Sequence, residues 1–319
     1  MKILYAANNF YSSEIQFKRI KEQLKKYKNI ELKYAAYKNS SKYIESDYNL
    51  DCLKHFLSHD RNINFSYNDN IKKYINEIEK FAPDLIISDL DIPTSLIAKS
   101  LNIQLWQVSS LMLNWAIDSQ LKNNISFMKN YFNTINSTPI LKKYLKAILD
   151  FSSKKYIYSY FTDYEYKPQI DNGFEWIRPY YMLSNYDHIK YDYLVLFNNR
   201  KDIMSEFLRK NSILFGSNKY ESFNENISDY KNYKDSIGKS KIIVSEGDTS
   251  SICDAIYNEK KCIIYPNIND LDCLLNYSLC EHFEFGYKTN SFTEFTVKLN
   301  INNKTQFIHE KLEEYAFSI

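Results

Sequence analysis

Glycine and proline are scarce in this chain of 319 residues, at five and six respectively. No flexible Gly/Ser tract, low-complexity linker or short repeat divides it. The five cysteines are odd in number, contain no C-x-x-C pair and have no histidine at zinc spacing, which argues against both a disulfide framework and structural zinc. No run approaches eighteen apolar residues, and the opening MKILYAANNF lacks the basic flank, length and cleavage site of a signal peptide. A soluble, cytoplasmic protein is expected. Neither charge sign dominates: 41 Lys+Arg against 39 Asp+Glu leave a net charge of +2, which excludes a globally basic nucleic-acid binder but not a local basic patch. Arginine is also rare, at positions 19, 61, 178, 200 and 209, while Lys, Asn, Ile and Tyr are abundant, as in proteins of AT-rich bacteria and phages.

The chain does have material for a core. Hydrophobic residues make up 44% and aromatics 16%, enough for two ordinary domains and against disorder. KILYAA at the start is a short buried-strand pattern, followed by helical periodicity from Ser12 to Tyr27 through Ile15, Ile20 and Leu24. Residues 84–88 and 103–109 read as further strands flanking a helix around Ser95–Ser100, and residues 111–160 read as mostly helical. The pattern restarts with strands at 193–197, 212–216, 241–245 and 262–266, helices at 201–210 and 250–257, and a last helix at about 304–317. Strands alternating with helices imply a parallel sheet covered on both faces, twice over. The expected divisions are 1–185, 186–292 and a C-terminal helical segment 293–319.

The stretch from Ser245 to Tyr277 is the most informative. A strand ends at Ser245 and a polar loop, Gly247-Asp248-Thr249-Ser250, turns into a helix whose N-terminal amides suit a phosphate. Asp254, one turn on, is placed to accept hydrogen bonds from a ribose diol while the loop holds a diphosphate. The alternative is an ordinary strand-to-helix cap. A ligand-binding carboxylate at 254 is expected at an open cleft rather than in the core. Asn198, Asn199 and Arg200 end the first strand of the second half, where they either donate to phosphate oxygens or form a solvated turn.

The Ser245–Tyr277 stretch resembles the donor-binding segment of GT-B glycosyltransferases related to the bacterial lipid-linked N-acetylglucosaminyl transferase (MurG-like, glycosyltransferase family 28-like). Ser245, Gly247, Ser250, Asp254, Ala255, Lys260, Pro266, Asp272 and Asn276 fall in register with that pattern without a gap. Residues 83–109 are more loosely similar to a segment of the first domain of the same group, with Asp91 at its acidic position, and YDYLVLFNNR (191–200) looks like the first strand and phosphate-facing loop of the nucleotide domain. The resemblance implies two Rossmann-like doubly wound domains facing a cleft, with the acceptor on the N-terminal side and the donor, most simply a UDP-sugar, on the C-terminal side. It also implies that Asp272 and Asn276 belong to the donor site and that Ile227 lies where relatives recognise the base through main-chain groups. The chain departs from the pattern at Asp248, which replaces the second glycine of the donor loop, and at Cys273, which follows the acidic residue in place of Gln.

An inverting transferase of this kind needs a base at the acceptor hydroxyl and no metal or other cofactor. The candidates are Asp91 at the end of an N-terminal strand and Glu14 in the first loop; the bland readings are a helix N-cap for Asp91 and a solvated first-turn carboxylate for Glu14. Asp89-Leu90-Asp91 also reads as D-x-D, the manganese-binding pattern of the other large transferase fold, but the doubly wound halves favour metal independence. His55 and His59 share helical spacing without acidic support and read as surface or packing residues. Residues 119–162 carry seven Lys, one acid and interleaved aromatics, a surface suited to an anionic membrane or a nucleic-acid backbone, or else a solvated face over an aromatic core. Acceptors consistent with this are a cell-envelope glycan or lipid and hydroxymethylated phage DNA. The rival functions are a nucleotide-sugar 2-epimerase and a nucleotide-sugar-binding module that has lost catalysis.

Overall fold

The computed structural model describes residues 1–7, 11–37, 45–50, 69–116, 139–160, 170, 173–181, 183–184, 188–197, 206–207, 209–216, 233–267, 270–282, 286–288, 293–295 and 306–318. The first half runs β1 (Lys2–Ala6), α1 (Tyr11–Leu24), β2 (Glu31–Ala36), β3 (Tyr48–Asn49), α2 (Asp69–Phe81), β4 (Leu85–Ser88), α3 (Ile92–Ser100) and β5 (Gln104–Val108). A 3-10 turn (Ser110–Met112), α4 (Leu113–Ala116), α5 (Pro139–Phe151), β6 (Lys154–Tyr158) and β7 (Glu175–Ile177) complete it. Its seven strands are all parallel, in the order β3-β2-β1-β4-β5-β6-β7.

The second half runs β8 (Tyr191–Phe197), β9 (Ser212–Gly216), α6 (Tyr233–Lys239), β10 (Ser240–Ser245), α7 (Thr249–Tyr257), β11 (Lys261–Ile264), α8 (Leu271–His282), β12 (Gly286–Lys288) and β13 (Thr293–Phe295). Its sheet has the order β12-β13-β11-β10-β8-β9, parallel from β11 to β9, with β13 and β12 added antiparallel at one edge. The last helix, α9 (Ile308–Ser318), returns to the first half: Ile308 and Leu312 join the cluster of Ile3, Phe17, Leu85 and Trp106. Residues 293–319 are thus not one helical segment, since Thr293–Phe295 is a strand of the second sheet and α9 packs on the first.

Local sequence explains these elements. In α1, Phe17, Ile20 and Leu24 recur at helical spacing and are buried under the first sheet. In α2, Tyr74, Ile78 and Phe81 do the same on the sheet's other face. Both sheets are buried on two sides, and their strands accordingly read as near-continuous apolar runs. The reading of 111–160 as mostly helical needs correction at β6: Tyr156 and Tyr158 lie on one face of a strand, and the two lysines before them hid the period-2 pattern.

A single apolar cluster joins the halves. Leu111, Met112, Leu113 and Ile148 of the first share it with Ile252, Ala255, Leu275 and Leu279 of the second. In each sheet the strand order reverses beside the first strand of that half, between β1 and β4 and between β8 and β10. Ligands of open α/β sheets bind beyond the carboxyl ends of the strands at such points.

Candidate functional site

The loop after β10 occupies the second of these switch points. Gly247 takes φ of +98°, and a Cβ there would lie 2.7 Å from Ile264 Cγ2, so both the backbone and the close approach of β11 demand glycine. Asp248 is the N-cap of α7: its carboxylate accepts from the Ser251 amide at 3.0 Å and also from the Ser251 hydroxyl. Asp272 of α8 covers the same helix end, accepting from the Thr249 amide at 2.8 Å and the Thr249 hydroxyl at 2.7 Å. Asn276 Nδ2, one turn along α8, donates to the Gly247 carbonyl at 3.1 Å and to Thr249 Oγ1 at 3.0 Å. The structure therefore brings Gly247, Asp248, Thr249, Ser250, Asp272 and Asn276 together around the N-terminus of α7, with Asp254 on the second turn of the same helix.

Charge accumulates at this end. Burial raises the Asp248 and Asp272 carboxyls above the ordinary carboxylate range, against the pull of their hydrogen bonds. Asp270 caps α8 through the Asp272 and Cys273 amides; burial and the neighbouring Asp272 push its carboxyl up to about 7.

Asp254 corrects the expectation of an open carboxylate. It is fully buried, and its Oδ2 accepts from Arg19 Nη2 of α1 at 2.6 Å and from the Tyr233 hydroxyl of α6 at 2.9 Å. The partner guanidinium is 4% exposed and its Nη1 donates to the Tyr180 carbonyl. Three further bonds cross between the halves near it. Gln16 Nε2 donates to Ser250 Oγ at 3.2 Å, the Ser110 hydroxyl to Asp272 Oδ1 at 2.5 Å, and the Tyr160 hydroxyl to the Asn276 carbonyl at 3.4 Å.

At the first switch point, β4 ends in Ser88-Asp89-Leu90-Asp91. The Tyr158 hydroxyl donates to Asp89 Oδ2 at 3.1 Å. Leu90 takes φ of +54°, and its amide donates to Gln107 Oε1 at 3.2 Å. Asp91 has the structural role weighed for it: it is the N-cap of α3, accepting from the Thr94 amide at 2.9 Å and the Tyr37 hydroxyl at 2.7 Å, and it is buried within its own half. Burial raises its carboxyl above the usual range. Asp89 and Asp91 thus have different partners, and among the described residues no three His, Cys, Asp or Glu side chains come together as a metal site.

Glu14 lies on α1, but its side chain is outside the described residues, as are Asn198, Asn199, Arg200 and Ile227. Half of the basic segment 119–162, at 119–138 and 161–162, is also outside them. No helix among the described residues is long and apolar enough to cross a membrane.

Sequence reasoning missed Arg19, Gln16, Ser110, Tyr160 and Tyr233. A signal existed for Arg19. In a chain so rich in lysine, an arginine three residues from Gln16 on an otherwise core-facing helix marks a place where a planar fork is needed.

No protein-family model and no curated protein sequence matches the chain. Solved structures do. SsfS6, a glycosyltransferase of Streptomyces sp. SF2575, shares 13% identity over 90% of this chain and 87% of its own, with a TM-score of 0.56. The spinosyn rhamnosyltransferase SpnG complexed with thymidine diphosphate shares 7% over 89% and 84%, with a TM-score of 0.54. The spinosyn forosaminyltransferase SpnP shares 13% over 90% and 85%, with a TM-score of 0.50. Over nearly its whole length the chain has the two-domain fold of GT-B glycosyltransferases that the sequence resemblance implied.

Proposed function

We propose that the protein is a glycosyltransferase that moves a sugar from a nucleoside-diphosphate donor, UDP- or dTDP-linked, to an acceptor hydroxyl. The observation that carries this reading is the meeting of the two switch points: the loop 245–250 and α8 on one side, α1 and the carboxyl ends of β4 to β6 on the other. The nucleotide-bound SpnG structure of the same fold supports a nucleoside diphosphate as the ligand class.

In the proposed reaction Asp254 engages the nucleoside's sugar hydroxyls, the 2′,3′-diol of a UDP donor or the single 3′-hydroxyl of a dTDP donor, and the diphosphate lies at the N-terminus of α7, whose dipole stabilises the leaving group as the glycosidic bond to it breaks. The acceptor hydroxyl attacks the anomeric carbon from the opposite side, giving inversion, and passes its proton to a carboxylate of the first half. Asp91 caps α3, which makes Glu14 the candidate to test first. The acceptor is a cell-envelope glycan or lipid, or modified DNA, met by the basic segment 119–162.

One observation favours a second reading, a nucleotide-sugar-binding module without catalysis. Asp91, a carboxylate weighed as the base, is buried as the cap of α3 and accepts from the Thr94 amide and the Tyr37 hydroxyl. A panel of UDP- and dTDP-sugars, assayed separately for binding and for release of nucleoside diphosphate, separates the two. Binding with release supports the transferase, binding without release supports the module, and the absence of both removes the nucleotide-sugar reading.

A further inference from the structure

The groups assigned to the donor are already engaged by the other half. Ser250, Asp254, Asp272 and the Asn276 carbonyl each accept a hydrogen bond from Gln16, Arg19, Ser110 or Tyr160. Asp254 is the most completely sealed, because its ion pair is 4% exposed on the arginine side and fully buried on the other. A ribose diol that approaches this carboxylate meets a guanidinium in its place.

The arrangement on α1 is specific. Gln16 and Arg19 lie three residues apart on one face, and both also hold Tyr180: Gln16 Oε1 accepts from its amide at 3.3 Å, and Arg19 Nη1 donates to its carbonyl. Tyr180 follows β7, the last strand of the first sheet, on the chain that leads to the second half. One pair of side chains therefore ties together the nucleotide-side helix α7, the acceptor-side helix α1 and the connecting backbone. The planar fork of arginine suits this span, one nitrogen on a carbonyl and the other on a carboxylate.

Building on the nucleotide-binding reading above, we infer that Arg19 is a gate on the nucleotide site: it occupies Asp254 in the closed form, and a nucleotide gains its ribose contact only in a form where α1 and α7 have parted. Nucleotide and guanidinium compete for one carboxylate. Removing the competitor raises the population able to bind and hence the apparent affinity.

The test is titration of the full-length protein with UDP and with 2′,3′-dideoxyuridine diphosphate, for the native chain, Arg19→Gln and Gln16→Ala. Arg19→Gln is expected to tighten UDP by about tenfold or more, and Gln16→Ala, which loosens the same α1–α7 seam through Ser250 and Tyr180 without stranding a charge, by about threefold. Both gains should shrink for the dideoxy nucleotide, which a general loosening of the fold would not produce. A native protein that binds UDP, together with variants that bind it equally or more weakly, overturns the gate and leaves the nucleotide reading standing. Equal gains for both nucleotides also overturn it. No binding of either nucleotide by any of the proteins removes the uridine-nucleotide reading and the gate with it. Where Arg19→Gln does not fold, Gln16→Ala alone decides by the same ribose-dependent gain.

Discussion

At the end of β4, the carboxylate of Asp91 accepts from Thr94 and Tyr37, both in its own half, whereas beside the loop after β10 the carboxylates of Asp254 and Asp272 accept from Arg19 and Ser110 in the other half. All three are buried acids near the carboxyl end of a parallel strand. The difference lies in what each holds together. Asp91 fixes one helix onto one sheet, while Asp254 and Asp272 fix the relation of the two sheets. The first role belongs to folding of a domain, and the second ties the helix end after β10 to the first half.

The largest effect expected from this contrast is on stability. Asp254→Ala leaves a guanidinium buried without its carboxylate and should cost about 3–5 kcal/mol in urea unfolding. Asp91→Ala, which removes an N-cap and the acceptor of the Tyr37 hydroxyl but strands no charge, should cost about 2–3 kcal/mol. Equal losses would erase the distinction between the two switch points. The loop itself offers the next test. Gly247→Ala forces a side chain into a φ of +98° and against Ile264, at a cost of about 2–3 kcal/mol. Gly173, with φ of +94° but no atom nearer than 3.8 Å to a Cβ, should lose about 1–2 kcal/mol on the same change.

Asp270 brings in pH. Its folded-state pKa of about 7 stands above the unfolded value of about 3.9, so the native state keeps a proton that the unfolded state releases between those values. Stability attributable to this group therefore falls as pH rises through that window, and the penalty is complete above about pH 7. Asp270→Asn retains an acceptor for the Asp272 and Cys273 amides. Melting at about pH 8 should show a gain of about 1 kcal/mol that disappears near pH 4. A gain that does not change with pH would mean that Asp270 is not strained by its charge.

The smallest effect is expected at Asp91→Asn. Asparagine caps helices as well as aspartate does, so stability should move by less than about 0.5 kcal/mol, and release of nucleoside diphosphate by less than about threefold. A hundredfold fall in turnover with stability preserved would instead return Asp91 to the chemistry as the base and make the two switch points alike in function.

Much of this was legible in the chain. The buried strands at Lys2–Ala6, Leu85–Ser88, Gln104–Val108, Ser212–Gly216 and Ser240–Ser245 stand within a residue or two of where apolar runs place them, because a strand covered on both faces cannot hide its composition. The loop and helix around Gly247 to Asp254 were readable for a similar reason. Glycine, small polar residues and a carboxylate one turn later are a local signal. β2, β3, β6, β7, β12 and β13 were missed, being short or carrying charged residues where a continuous apolar run would mark a strand.

By itself the sequence determined two α/β halves, the place of the turn between β10 and α7, and which residues gather at that helix end, since each depends on neighbours within a few tens of residues. It did not determine what those residues bind in the folded chain. Arg19 and Asp254 are 235 positions apart, and Ser110 and Asp272 are 162 apart. Such pairs carry no local period or spacing. They exist only because two sheets present their carboxyl ends to each other around a shared apolar cluster, which removes water from the seam and obliges each buried charge to find a partner there.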